Sequence, residues 1–403
     1  MKTWSTRIVM IATAALGVAC SSQTVQTTSG PARTGGDITA ADLRARLYLY
    51  ADDSMMGRET GTIGNRKATN YIAGEVKRMG LEPGGEDGTY FQEIHATSAR
   101  FTGGPPGTAR NVIAILRGSD PTLRYEYVAI GAHNDHIGIR HPAVDHDSLK
   151  VYNQMLTDLG APSWDRNMRA KRDSLRPFIH INLDSLHRIR PLRRDSISNG
   201  ADDDGSGTVS VLEIAENLAS RAERPKRSII FVWHTGEEKG LLGSKWFTEH
   251  PTVPREKIVA QLNMDMVGRG SASDIAGGGP DYLQLVGSRR VSTELGDLIE
   301  MLNSKRSHPF KFDYQYDANG HSERIYCRSD HFSYARYGIP ITFFTTGQEP
   351  DYHQVTDEPQ YIDYDHMMRV DTFVRDIATT VANLDHRLRV DKPVGDPMAA
   401  CVQ

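Results

Sequence analysis

Cysteine is scarce in this chain: 403 residues hold three, at Cys20, Cys327 and Cys401. Three cysteines cannot build a disulfide framework, and zinc-finger spacing is absent. Cys327 and Cys401 are left as candidates to pair in an oxidising compartment. Beyond residue 18 no apolar run is long enough to cross a membrane as a helix. A dominant charge is missing too: 47 Lys and Arg against 51 Asp and Glu leave a formal net charge of −4, so no global attraction to nucleic acid is implied. No internal repeat is visible. What remains is ordinary for a globular chain, 38% hydrophobic and 24% charged, and long enough to bury the core of a large α/β enzyme.

The N-terminus has the pattern of a secretory signal. Lys2 and Arg7 supply positive charge, and Ile8 to Val18 is apolar but too short to span a bilayer. It ends in Leu16-Gly17-Val18-Ala19-Cys20, which resembles a bacterial lipobox, with Gly17 where leucine is usual. Residues 1–20 are therefore expected to be a lipoprotein-type signal peptide, with Cys20 lipidated. An ordinary cleaved signal is the alternative. Ser21 and Ser22 point to the outer membrane, so the protein is expected to be anchored there facing the periplasm, or else secreted. Residues 21–37, rich in Ser, Thr and Gly, are expected to be a flexible tether.

From there short apolar runs alternate with helical patterns. Helices are expected at 39–51, 65–79, 208–220, 241–249, 291–304, 329–337 and 364–384. Strands are expected at 111–116, 127–132, 228–233, 258–266, 282–286, 310–316 and 339–344. This alternation predicts a three-layer α/β/α sandwich with a mostly parallel, mixed central sheet. The main domain spans 38–390, followed by a tail at 391–403. An insertion at about 139–199 is polar, mixed in charge and weakly periodic, and is expected to be a solvated excursion with a helix or two; its place between two groups of candidate ligands makes a lid the alternative. The Gly-rich loop 56–64 lacks the residue order and preceding strand of a phosphate-binding loop.

Five stretches carry the chemistry. His133-Asn134-Asp135 follows a strand, and His133 is a candidate metal ligand whose other ring nitrogen Asp135 would orient. Asp202-Asp203-Asp204 precedes a helix. Capping explains one aspartate, but three adjacent charges call for a cation, and Asp203 is the candidate to bridge two ions. Glu237 and Glu238 follow a buried strand, one suited to ligate and one to act as base. Asp265 lies in an apolar run, where a buried carboxylate needs a partner. His353 comes late, after a Gly/Pro loop. Strand ends of a parallel sheet are where such groups converge. The nitrogen and oxygen donors suit zinc, with cobalt or manganese possible.

In this order the motifs resemble those of the M28 family of zinc metallopeptidases, across about residues 43–384. The likeness includes Gly57-Arg58-Glu59-Thr60-Gly61-Thr62, Gly88-Thr89-Tyr90-Phe91-Gln92 and Gly131-Ala132-His133-Asn134-Asp135-His136. The resemblance implies two zinc ions per chain: His133 and Asp265 on one, Glu238 and His353 on the other, and Asp203 between them. It implies Glu237 as general base and acid, Tyr352 as a group steadying the developing oxyanion, and Asp330, in Ser329-Asp330-His331, as an outer neighbour of the site. It also implies a peptide substrate shortened from its amino end through a water activated by the two ions. A carboxypeptidase or dipeptidase, with Arg269, Arg328 or Arg336 clamping a carboxylate, a glutaminyl-cyclase-like acyltransferase and an inactive binding lipoprotein are the rivals. The protease-associated domain that some members carry has no room here, since only residues 93–110 separate the Tyr-Phe-Gln stretch from the next strand. No nucleic acid is expected as partner, and a membrane only through Cys20; the sequence leaves the oligomeric state open.

Overall fold

The computed structural model describes residues 34–403 except 96, 99, 100, 106, 164 and 276. The expected signal segment, Cys20 and nearly all of the tether lie outside the described residues. The tether's last residues are already docked: the Thr34 hydroxyl donates to Glu216 and the Gly35 N–H to Asp42.

The strands are β1 Glu82–Pro83, β2 Phe91–Glu93, β3 Arg110–Leu116, β4 Tyr127–His133, β5 Gly138–Asp145, β6 Arg194–Ser198, β7 Ser228–His234, β8 Ile258–Met264, β9 Tyr282–Val286, β10 Lys311–Asp313 and β11 Ile341–Thr345. The α-helices are α1 Ala40–Tyr50, α2 Ile63–Arg78, α3 His146–Asp158, α4 Arg169–Leu175, α5 Leu183–Ile189, α6 Gly207–Ser220, α7 Leu242–Glu249, α8 Thr293–Ser304, α9 His331–Ala335 and α10 Tyr364–Asn383. Among the described residues, nine strands form one mixed sheet in the order β1-β3-β7-β4-β8-β11-β9-β10, with β2 also on β3. Its centre, β7-β4-β8-β11, is parallel; β3 and its neighbours pair antiparallel, as does β9 with β11.

The central strands are buried on both faces because their residues are apolar throughout. Period-two alternation divides them between two cores. Val128, Ile130, Phe231 and Leu262 pack under α1, α2, α6, α8 and α10. Ala129, Ile230, Val232 and Phe343 pack under α7 and α9 on the other face. This is the three-layer sandwich expected from the alternation. None of the described helices is long and apolar enough to cross a membrane.

The insertion holds more structure than its composition suggests. β5 and β6 form an antiparallel ribbon that encloses α3, α4 and α5. It packs on the segment that carries Tyr352 and His353: Ser163 donates to the Pro350 carbonyl at 2.7 Å, Arg193 pairs with Glu358 at 2.9 Å, and Lys150 pairs with the buried Asp351.

Candidate metal centre

His133 ends β4, Glu237 and Glu238 follow β7, Asp265 follows β8, and His353 lies in the loop after β11. Those four strands are the parallel centre of the sheet, so their carboxyl ends open at one edge. Asp203 reaches the same place from the turn ahead of α6.

The donor atoms meet in two groups that share Asp203. In the first, His133 Nε2 lies 3.1 Å from Asp203 Oδ1 and 3.6 Å from Asp265 Oδ1. In the second, His353 Nε2 lies 3.1 Å from both Asp203 Oδ2 and Glu238 Oε1. His136 enters this group as well, its Nδ1 3.0 Å from Glu238 Oε1. Asp203 Oδ2 and Glu238 Oε1 are buried without a hydrogen-bond partner. Buried carboxylate oxygens left so are costly unless a cation takes them up. The mixed imidazole and carboxylate donors fit zinc.

The local electrostatics have the same origin. Burial opposes charge on His353, but Glu238 and Asp203 outweigh it and hold the imidazole up at about 10. Burial would raise Glu238, yet the His353 charge and the nearby imidazoles bring it down to about 2. Asp203 is likewise held well below the usual carboxylate range, because the neighbouring imidazoles of His133 and His353 overcome burial. Glu237 goes the other way. Burial, reinforced by Glu238, Asp265 and Asp330 against the lowering effect of His133, pushes it well above that range.

The aspartate triplet divides its labour. Asp204 braces the frame: its carboxylate accepts from the N–H of His133 at 2.9 Å, Gly207 at 3.0 Å and Met266 at 3.3 Å. Asp202 accepts from Gly268 N–H at 2.8 Å. Asp357 holds the turn from the far side, accepting from the N–H groups of Asp202 and Asp203. Asp203 alone of the three joins the donor groups. The Gly-rich loop serves the same turn. The fully buried Arg58 donates to the carbonyls of Asn199 at 2.5 Å and Gly200 at 2.8 Å.

One expectation needs correction. The Asp135 carboxylate does not orient His133; the backbone carbonyl of Asp135 does, 3.0 Å from Nδ1, while the carboxylate stands 3.7 Å away. That carboxylate instead accepts from the Glu237 N–H at 3.1 Å and the Thr60 hydroxyl at 2.7 Å. Asp330 sits beside His234, at 3.4 Å, and from there its charge acts on Glu237 and His133, as expected of an outer neighbour of the site. It is the preceding Ser329 that reaches the site, donating to Asp265 Oδ2 at 2.7 Å. Sequence reasoning missed Ser329, Asp204 and Asp357. The Ser329-Asp330-His331 motif and the aspartate triplet were the available signals.

A narrow cleft opens beside the first donor group. Met266, Tyr316, Ile325 and Phe343 give it an apolar wall, and Glu237, Tyr352 and Arg328 line its polar side. Tyr352 stacks on His353, and its hydroxyl accepts from Arg328 at 3.2 Å. Of the three arginines considered as carboxylate clamps, Arg269 is buried against Asp274 and Asp351, and Arg336 pairs with Glu249. Arg328 alone of them lines the cleft, and it also holds Glu323 at 3.1 Å.

Known proteins give this geometry a context. The chain is 32% identical over 200 residues to a probable leucine aminopeptidase of Arthroderma benhamiae, a match covering 47% of this chain and 50% of the relative. The chain thus spans about half the length of the curated relatives it matches. The fold resembles that of a Zn-dependent exopeptidase from Parabacteroides distasonis, with TM-score 0.54, 19% identity, and 85% and 98% of the two chains covered. It also resembles a glutaminyl cyclase of Porphyromonas gingivalis, with TM-score 0.57, 18% identity, and 84% and 97% covered. The model of peptidase family M28 matches residues 177–378, a stretch that includes Asp203, Glu237, Glu238, Asp265 and His353. The chain belongs to peptidase family M28.

Proposed function

We propose that the protein is a zinc-dependent aminopeptidase holding two ions, His133 and Asp265 serving one, Glu238 and His353 the other, and Asp203 both. The observation that carries this reading is the convergence of unpartnered buried donor atoms on Asp203, next to Glu237 and at the mouth of an apolar cleft. Zinc bound there supplies Lewis acidity and makes water acidic enough to attack at neutral pH.

The chain's own residues do the rest. Glu237, whose backbone Asp135 fixes, takes the proton of the attacking water and hands it to the leaving amine. Burial raises its proton affinity, which suits that task. Tyr352, held by Arg328, donates a hydrogen bond to the carbonyl oxygen as charge gathers there. The wall formed by Tyr316, Ile325 and Phe343 takes an apolar side chain, and the aminopeptidase name of the relatives supports cleavage at a free amino end.

One observation favours a narrower substrate. Arg328 places a guanidinium in the cleft, where the carboxylate of a dipeptide would pair with it.

A substrate panel tests both readings: aminoacyl amides, dipeptides and their amidated forms, each with the amine free or blocked. Chelator-sensitive release only from free amines is expected; cleavage that ignores N-blocking contradicts the aminopeptidase reading. Loss of activity on amidating the dipeptide would establish the narrower one. Glu237→Ala is expected to abolish turnover with metal content unchanged, and retained activity would remove Glu237 from its role.

A further inference from the structure

The second donor group contains more than the family resemblance assigns to it. His136 follows β4 by three residues and is fully buried. Neither of its ring nitrogens makes a hydrogen bond. Nδ1 lies 3.0 Å from Glu238 Oε1 and 3.8 Å from Asp203 Oδ2, the same two oxygens that His353 Nε2 approaches at 3.1 Å each. Both oxygens are themselves buried without a hydrogen-bond partner. So the His136 nitrogen is within reach of Glu238, yet the approach lacks hydrogen-bond geometry. Buried polar atoms left without a hydrogen bond are costly unless a cation takes them up. Donors around a tetrahedral zinc, with bonds of about 2.0–2.2 Å, stand roughly 3.3–3.6 Å apart. The separations of 3.0, 3.1 and 3.8 Å straddle that spacing.

The backbone makes room for this imidazole. Gly200 has φ +53, and a Cβ there would come within 2.5 Å of His136 Cγ. Arg58 fixes the Gly200 carbonyl, so the turn that leads to Asp203 is also what seats the His136 ring.

We infer that His136 is a fourth protein ligand of the second ion, joining Asp203, Glu238 and His353. The inference rests on the proposed function. It makes the two positions unequal. Four protein donors close the second, while His133, Asp203 and Asp265 leave the first open, as a reacting site requires. His133, Asp203 and Asp265 line the same cleft as Glu237.

The test is to reload metal-free protein with Co²⁺ and count the solvent-exchangeable, hyperfine-shifted imidazole N–H signals by proton NMR. Each cobalt-bound histidine with a protonated second nitrogen contributes one. Three are expected with two cobalt ions bound, from His133, His353 and His136. His136→Gln is expected to lose one signal and to weaken the second equivalent at least tenfold in chelator competition, leaving the first unchanged. Two signals from wild-type protein holding two cobalt ions would overturn the inference and leave the proposed function standing; this readout needs no variant to fold. Uptake of only one ion would overturn the inference and the two-ion assignment. No uptake would overturn the metallopeptidase reading with them.

Discussion

At the residue scale, chemistry was legible wherever a charged side chain broke an apolar pattern. Asp265 at the end of a buried run and the Glu237-Glu238 pair after β7 declared themselves because burial without a partner is costly. What stayed hidden depends on backbone geometry. The Asp135 carbonyl, rather than its carboxylate, orients His133, and no residue pattern distinguishes the two. Asp357 stands in an unremarkable loop, and only the fold brings its carboxylate beneath the turn at Asp202 and Asp203. Ser329 is the most testable of these supports. Its hydroxyl donates to Asp265 Oδ2, and removing it strips a buried carboxylate of that hydrogen bond. Groups that orient metal ligands in this way are worth about 10–100-fold in affinity. Ser329→Ala should therefore weaken zinc by that factor in chelator competition while preserving the fold. Unchanged affinity would mean that Asp265 is positioned by the sheet alone.

At the element scale, long apolar segments were read almost to the residue. Tyr282–Val286 matches its expectation outright, and the expected closing helix at 364–384 runs from Tyr364 to Asn383. Misses fall where pattern is short or broken. β1 and β2 are two and three residues long, too few to show alternation. The alternation of β5 is interrupted by Pro142, and the run expected at 310–316 pairs only at 311–313. Nor did sequence show what locks α1, α2 and α6 together. Arg46, 2% exposed, pairs with Glu75 at 2.7 Å, with Glu213 at 2.9 Å and with Glu216. Burial raises Glu213 to about 7 even with Arg46 pulling the other way. Deleting one partner of a buried ionic network typically costs about 3–5 kcal/mol. Arg46→Met should lower stability by that order in denaturant titration, by stranding acids from two helices. A loss under about 1 kcal/mol, as at an exposed pair, would show that the three helices are held by apolar packing instead.

At the scale of the whole molecule, the sheet has two unlike faces, and the thinner one carries a buried imidazole whose protonation opposes folding in acid. There α9 covers β11, and His331 stacks on Phe343 with ring centroids 4.8 Å apart. The same face carries the Cys327–Cys401 disulfide, and Gln403 donates to the Tyr316 carbonyl at 2.9 Å, so the C-terminus braces a wall of the cleft. With a sequence separation of 74 residues, the crosslink is worth up to about 4.5 kcal/mol on loop entropy. Cys401→Ser should accordingly lower Tm and loosen substrate binding; a Tm equal to that of the oxidised wild type would show that the bond is dispensable. Burial brings the His331 imidazole down to about 3, despite the neighbouring Asp330 charge. In the unfolded chain it titrates near ~6.5. Between those values the unfolded state holds the proton and the folded state does not. Its stability contribution is therefore complete above pH ~6.5 and is lost as pH falls toward 3, at up to about 1.4 kcal/mol per pH unit. His331→Phe keeps the stack on Phe343 but cannot bind a proton. Melting temperatures of the two proteins, compared at pH 7 and pH 4 with chelator present throughout to exclude metal loss, should fall less for the variant. Parallel falls would assign the acid limb to the buried carboxylates instead.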